Sequence, residues 1–258
     1  MHSTQLKRTL ELIWVKASLN LRSEASVNYL SYAWWVIEPL LHMVVYYVVF
    51  SFLLARGGEN YVAFLLTGLI PWLWFSKTIS HTMSSILHGK ELMNQLYIPK
   101  LFFPLTFVVQ DSVKQVIVFM LLLAFLVFYG ISPSLVWLHA IPIILIQFLL
   151  IIGCSLIAAL IVPFVRDMSF VIPTGLQFMM FCSGIFFSHH DIPERALQYF
   201  FLNPMAVILT AFRDVLVDSA IPNYEQLGFV ALFSLVLIVL AALAYKKLEY
   251  VLPRVVLE

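Results

Sequence analysis

LFFPLTFVVQDSVKQVIVFMLLLAFLVFY, residues 101–129, carries Gln110, Asp111, Lys114 and Gln115 in its first half and then, from Val116 to Phe128, no polar side chain. A helix crosses the hydrocarbon core of a bilayer with ~20 mostly apolar residues. This segment is longer than that, so it is expected to tilt or to project past the bilayer. Segments of the same kind flank it on both sides. Upstream, 34–54 opens with WWVIEPLLHMVVYY, and 61–80 contains Pro71, which is expected to bend it. Downstream lie 135–164, 170–187 with Pro173, Gly175 and Gly184, and 227–245. The expected fold is all-α and integral to the membrane, a single domain over 1–258 with about six transmembrane helices.

Composition agrees. Hydrophobic residues make up 62% of the 258 and charged residues 11%, against roughly 25% charged in soluble chains. Ions are costly in hydrocarbon and are left out of it. The spans leave only short loops, with no room for a sizeable soluble domain. A net charge of +1 offers no basic field for nucleic acid. Cys154 and Cys182 both lie in apolar runs and read as small hydrophobes. The first ~28 residues carry Lys7, Arg8, Glu11, Lys16, Arg22 and Glu24 with no uninterrupted apolar run, so no cleavable signal peptide is expected.

Residues 4–22 read as an amphipathic helix. Leu6, Leu10, Ile13, Trp14, Ala17 and Leu21 fall within one stripe of ~100°, with the charges off it. Such a helix lies in the membrane interface. Basic residues set orientation. Lys7, Arg8, Lys16, Arg22, Lys77, Lys90, Lys100, Arg166, Lys246, Lys247 and Arg254 collect on one side, and Arg56, Arg195 and Arg213 on the other. Both termini are therefore expected in the cytoplasm.

Two connections stand out. The stretch 81–100, HTMSSILHGKELMNQLYIPK, is polar enough for the cytoplasm and long enough for a helix. The outer stretch 188–226 holds two short apolar runs, ALQYFFL and MAVILTAF, on either side of Asn203-Pro204. Neither run can span, and together they suit a re-entrant pair of half-helices turning at Asn203-Pro204.

Polar groups inside a bilayer are functional candidates. Glu38 could neutralise a nearby cation, line a path or snorkel to the interface. Asp111 and Lys114 stand at i,i+3 and can pair, and Gln110 and Gln115 can hydrogen-bond to other helices. That cluster reads either as the wall of a conduit or as helix–helix glue. Aromatic residues crowd the first and fifth spans, where Trp34, Tyr46, Tyr47, Phe178, Phe181 and Phe186 are candidates to line a path for sugar rings. The chain contains no GxxxxGK[ST], HExxH or GxSxG. His189, His190 and Asp191 are adjacent in sequence, where side chains are expected to point apart, so no metal site is expected.

Five stretches together resemble the transmembrane subunit of ABC-2 type exporters, and within that group the permeases for O-antigen, capsular polysaccharide and teichoic acid. They are NYLSYAWWVIEPLLH at 28–42, FLLTGLIPWLWFS at 64–76, IPKLFFPL at 98–105, Arg166-Asp167, and LNPMAVILTAFRDVL at 202–216. Ser31 departs from a frequent glycine. The resemblance implies a homodimer around one pathway, a pair of separate cytoplasmic ATPase subunits holding ATP and Mg, and no cofactor on this chain. It implies a coupling helix at 81–97, with Leu87, Lys90, Glu91 and Leu92, joined by Arg166 and Asp167, facing the ATPase, and an external re-entrant element carrying Asn203, Pro204 and Arg213. It implies a lipid-linked polysaccharide moved outward across a bacterial inner membrane. A drug or lipid cargo is the alternative within the family. An ion-coupled transporter using Glu38, Asp111 or Lys114 as a proton relay is the alternative outside it.

Overall fold

A computed structural model of the chain describes residues 2–27, 33–49, 60–95 and 98–257. Among the described residues every regular element is helical. In order these are α1 (His2–Val27), α2 (Trp34–Tyr47), α3 (Tyr61–Met83), α4 (Ser85–His88), α5 (Lys90–Gln95), α6 (Phe102–Phe128), α7 (Ala140–Ile161), α8 (Met168–Cys182), α9 (Glu194–Phe200), α10 (Pro204–Leu216), α11 (Tyr224–Leu248) and α12 (Val251–Leu257). Short 3-10 turns, Leu135–His139 and His189–Asp191, precede α7 and α9.

Among the described residues four elements are long and apolar enough to cross a membrane: α3, α6, Leu135–Ile161 and α11, and a fifth if the bent pair α9–α10 counts as one. This is fewer than the sequence suggests. The described part of α2 is 14 residues long, and positions 50–54 of the expected first span lie outside the described residues. The helix expected over 170–187 stops at Cys182. Gly184 takes φ +74, a left-handed turn that ends a helix. A Cβ there would meet the Phe200 ring at 2.7 Å, so the turn also admits α9.

The centre of the bundle is α3, packed by α6, α7 and α10. Leu65, Leu66, Leu69, Trp72 and Phe75 are buried along it. Pro71 interrupts the ladder of α3, and Gln147 Nε2 on α7 donates to the Pro71 carbonyl at 2.7 Å. On α7, Gly153 admits α11 closely, since a Cβ there would lie 2.9 Å from Leu237 Cβ and 3.3 Å from the Ser234 carbonyl. Small residues let membrane helices approach in this way.

A second, smaller apolar cluster closes one end of the bundle. It joins Ile13 of α1, Ile86 of α4, Phe102 and Phe103 of α6, Leu156 of α7, Tyr245 of α11 and Leu252 and Val256 of α12. Most of the expected basic set belongs to the elements of this end. The opposite end carries α9, α10 and the hydrogen bond between His139 and Tyr224.

Of the stripe expected on α1, Ile13 and Ala17 are buried while Leu10 and Trp14 are exposed, and the partly buried Asn20 and Glu24 bond to α6. The expected stretch 81–97 is not one helix. Its first three residues finish α3, and α4 and α5 follow, parted by Gly89. Phe103 packs so closely on Gly89 that its ring occupies the place of a Cβ.

Candidate functional site

The candidate site is a polar cavity of about 240 Å³ between α1, α2, α3 and α6. Trp34, Trp35 and Glu38 come from α2, and Trp74, Lys77, Thr78 and His81 from α3. Asp111, Lys114 and Gln115 come from α6, and Glu24 from α1. On α3 the contributors recur at i, i+3, i+4 and i+7, which puts them on one stripe.

Charges in the wall are paired across helices. Lys77 Nζ lies 2.5 Å from Glu38 Oε1. His81 Nδ1 lies 2.9 Å from Asp111 Oδ2. Lys114 Nζ donates to both Glu24 oxygens, at 2.7 and 2.6 Å, and sits 5.6 Å above the Trp35 ring. The expected Asp111–Lys114 pair is therefore not formed. Each residue pairs with a side chain of another helix instead, Asp111 with His81 and Lys114 with Glu24. Glu38 neutralises Lys77, the first of the roles open to it. Gln110 acts as glue, since its Oε1 accepts from Asn20 at 3.1 Å and its Nε2 donates to Glu24 at 3.1 Å. Gln115 Nε2, Trp74 Nε1 and Thr78 Oγ1 are buried in the wall with no hydrogen-bond partner among the described residues. A buried donor left unmade is costly, so these atoms suit a guest rich in oxygen acceptors, with Trp34 and Trp35 beside them as aromatic surface.

Sequence reasoning missed Glu24, Lys77 and His81. The signal was available in their spacing: 74, 77, 78 and 81 share a face of α3, and 13, 17, 20 and 24 share a face of α1.

The remaining candidates lie elsewhere. Phe178 and Phe181 stand on the exposed face of α8, and Phe181 packs on Phe186 at 5.5 Å between ring centroids. The side chains of Tyr46 and Tyr47 lie outside the described residues, as does Arg56. Lys90 and Glu91 are exposed on α5, while Leu87 and Leu92 are half-buried against the smaller cluster. Arg166 and Asp167 are exposed in the turn before α8.

Asn203 caps α10, accepting from Met205 N at 3.0 Å, and its Nδ2 donates to Ser183 Oγ at 2.8 Å. Pro204 opens that helix, and α9 and α10 meet at 106°. Arg213, counted among the outer loop cations, is buried inside the protein. His189 and His190 do not point apart, since their rings lie against each other, tilted by 39°, with centroids 3.9 Å apart. Burial, and then the neighbouring His190, holds the His189 imidazole below its usual value. Among the described residues no group of three or more His, Cys, Asp or Glu is placed to hold a metal ion.

Residues 13–217 match the family described as "ABC-2 type transporter". The chain belongs to that family. This ABC-2 chain is 28% identical over 241 residues to the O-antigen export system permease protein RfbA of Klebsiella pneumoniae, covering 93% of each chain. It is 26% identical to a protein of the same name from Myxococcus xanthus, over 90% of this chain and 89% of that one. It is 24% identical to the polysialic acid transport protein KpsM of Escherichia coli, over 94% of both.

Proposed function

We propose that this chain is the membrane permease subunit of an ATP-driven exporter that moves a lipid-linked polysaccharide, of O-antigen or capsule type, outward across a bacterial inner membrane. The observation that carries the reading is the end-to-end similarity to export permeases whose names specify O-antigen and polysialic acid. The cavity supports it: tryptophan platforms beside carboxylates, amides and unpaired donors are the chemistry a sugar ring uses.

The finer architecture belongs to the same proposal. α2 and α8 complete a six-span bundle, with the basic end in the cytoplasm and both termini there. α1 lies along the interface, where its exposed Leu10 and Trp14 meet lipid. α4 and α5 rest on a separate ATPase subunit that holds ATP and Mg. A second copy of the chain packs on the exposed apolar faces of α2 and α8, which carry Leu41, Val44, Val45, Phe170 and Phe178.

Gene deletion tests the reading. Loss of surface polysaccharide, with lipid-linked polymer building up inside the cell and reversal on complementation, is the expected result. Unchanged glycans on both sides of the membrane would remove the polysaccharide assignment.

A further inference from the structure

Arg213 is 7% exposed, on a helix whose other residues from Met205 to Leu216 are mostly buried. Its partners are backbone carbonyls. Nη1 donates to Gly184 O at 2.7 Å, Nη2 to Ile185 O at 3.0 Å and Nε to Phe64 O at 3.2 Å. The guanidinium carbon lies 3.6 Å from the centroid of the Phe64 ring. Each guanidinium nitrogen is thus bonded and one face of the plane lies on a ring, an arrangement that suits a planar fork rather than a compact ammonium.

The fork joins separate bodies. Gly184 and Ile185 follow Cys182, the last residue of α8, so Arg213 places positive charge at the C-terminal end of that helix, where the dipole favours it. Phe64 belongs to α3. Gly68, one turn along α3, makes room: a Cβ there would lie 2.5 Å from Nη2. Phe186, the residue after Ile185, packs on Phe181. Arg213 therefore sets where the end of α8 stands against α3, and with it the Phe181–Phe186 pair.

We propose that Arg213 is a positioning residue for transport, which holds the Phe181–Phe186 pair in place through the carbonyls of Gly184 and Ile185 and keeps the outward path shut between cycles. This rests on the reading of Phe178, Phe181 and Phe186 as pathway residues. Arg213 stands on α10, which packs on α3, so movement of the end of α8 away from α3 breaks the bonds to Gly184 and Ile185 and leaves the fork on Phe64.

The test uses the chain assembled with its ATPase in proteoliposomes, without ATP, and measures efflux of entrapped carboxyfluorescein. Loss of a hydrogen bond to a charged group shifts an equilibrium by about tenfold or more. Arg213→Ala is expected to raise efflux by that order, Arg213→Lys by less, and Gly68→Ala, which keeps the cation and displaces only Nη2, by an intermediate factor. Wild-type efflux from the assembled Arg213→Ala complex overturns the proposal. If Arg213→Ala fails to assemble, wild-type efflux from Gly68→Ala overturns it. Phe181→Ala and Phe186→Ala separate the two layers. If they leak while the Arg213 and Gly68 variants do not, the positioning role fails and the pathway reading stands. If none of them leaks, the pathway reading falls too.

Discussion

Asp111 on α6 pairs with His81 on α3, 2.9 Å away, and not with Lys114 one turn along its own helix. The pair ties neighbouring helices at the level of the polar cavity, so it acts first as a structural link. Asp111→Asn keeps a side-chain oxygen for His81 and loses the charge. The expected cost is about 1–3 kcal/mol of bundle stability, with export still driven by ATP and its pH dependence unchanged. Thermal unfolding in detergent and an export assay across pH check both parts. Loss of export at retained stability would revive the proton-relay alternative.

Lys90 and Glu91 are exposed on α5, and surface changes of this kind are usually within about 0.5 kcal/mol. Replacing both with alanine is expected to leave folding intact and to uncouple export from ATP hydrolysis. Hydrolysis by the assembled complex should persist while surface polysaccharide falls. Normal export from the double variant removes both residues from the coupling role.

Gly153→Leu puts a side chain where Leu237 and the Ser234 carbonyl already stand. Overpacking a tight contact costs roughly 1–3 kcal/mol. The α7–α11 pair should loosen, and the midpoint of thermal unfolding should drop. Gly228 has open space at the position of a Cβ, so Gly228→Ala on α11 should show no such drop.

Asn203→Ala removes the cap of α10 and the bond to Ser183. A lost N-cap costs about 0.5–2 kcal/mol. The start of α10 should fray, read as faster amide exchange at Met205 and Ala206, whereas Asn203→Ser should retain most of the protection.

The membrane class was legible because crossing lipid demands long apolar runs, and 101–129 and 135–164 supply them in a chain with few charges. The bent pair α9–α10 was legible too, since ALQYFFL and MAVILTAF are short and Asn203-Pro204 marks a capped helix start. Partner choice was not. Spacing along a single helix put Asp111 beside Lys114, but the pairing was decided by His81 and Glu24, which are distant in sequence. The fate of Arg213 was hidden for the same reason: its acceptors are carbonyls of Phe64, Gly184 and Ile185, and a backbone acceptor has no signature in residue type. The helix break after Cys182 depended on a Gly184 conformation that composition alone does not set.

The small cluster at the basic end has a consequence for biosynthesis. Ile13 emerges early from the ribosome, yet Leu252 and Val256 of the same cluster are among the last residues made. Contacts between such distant parts of a chain form late. The end of the bundle that carries α4 and α12 is therefore finished only when translation is nearly over. On the proposed reading, a half-made permease would offer an ATPase subunit only a loose docking end.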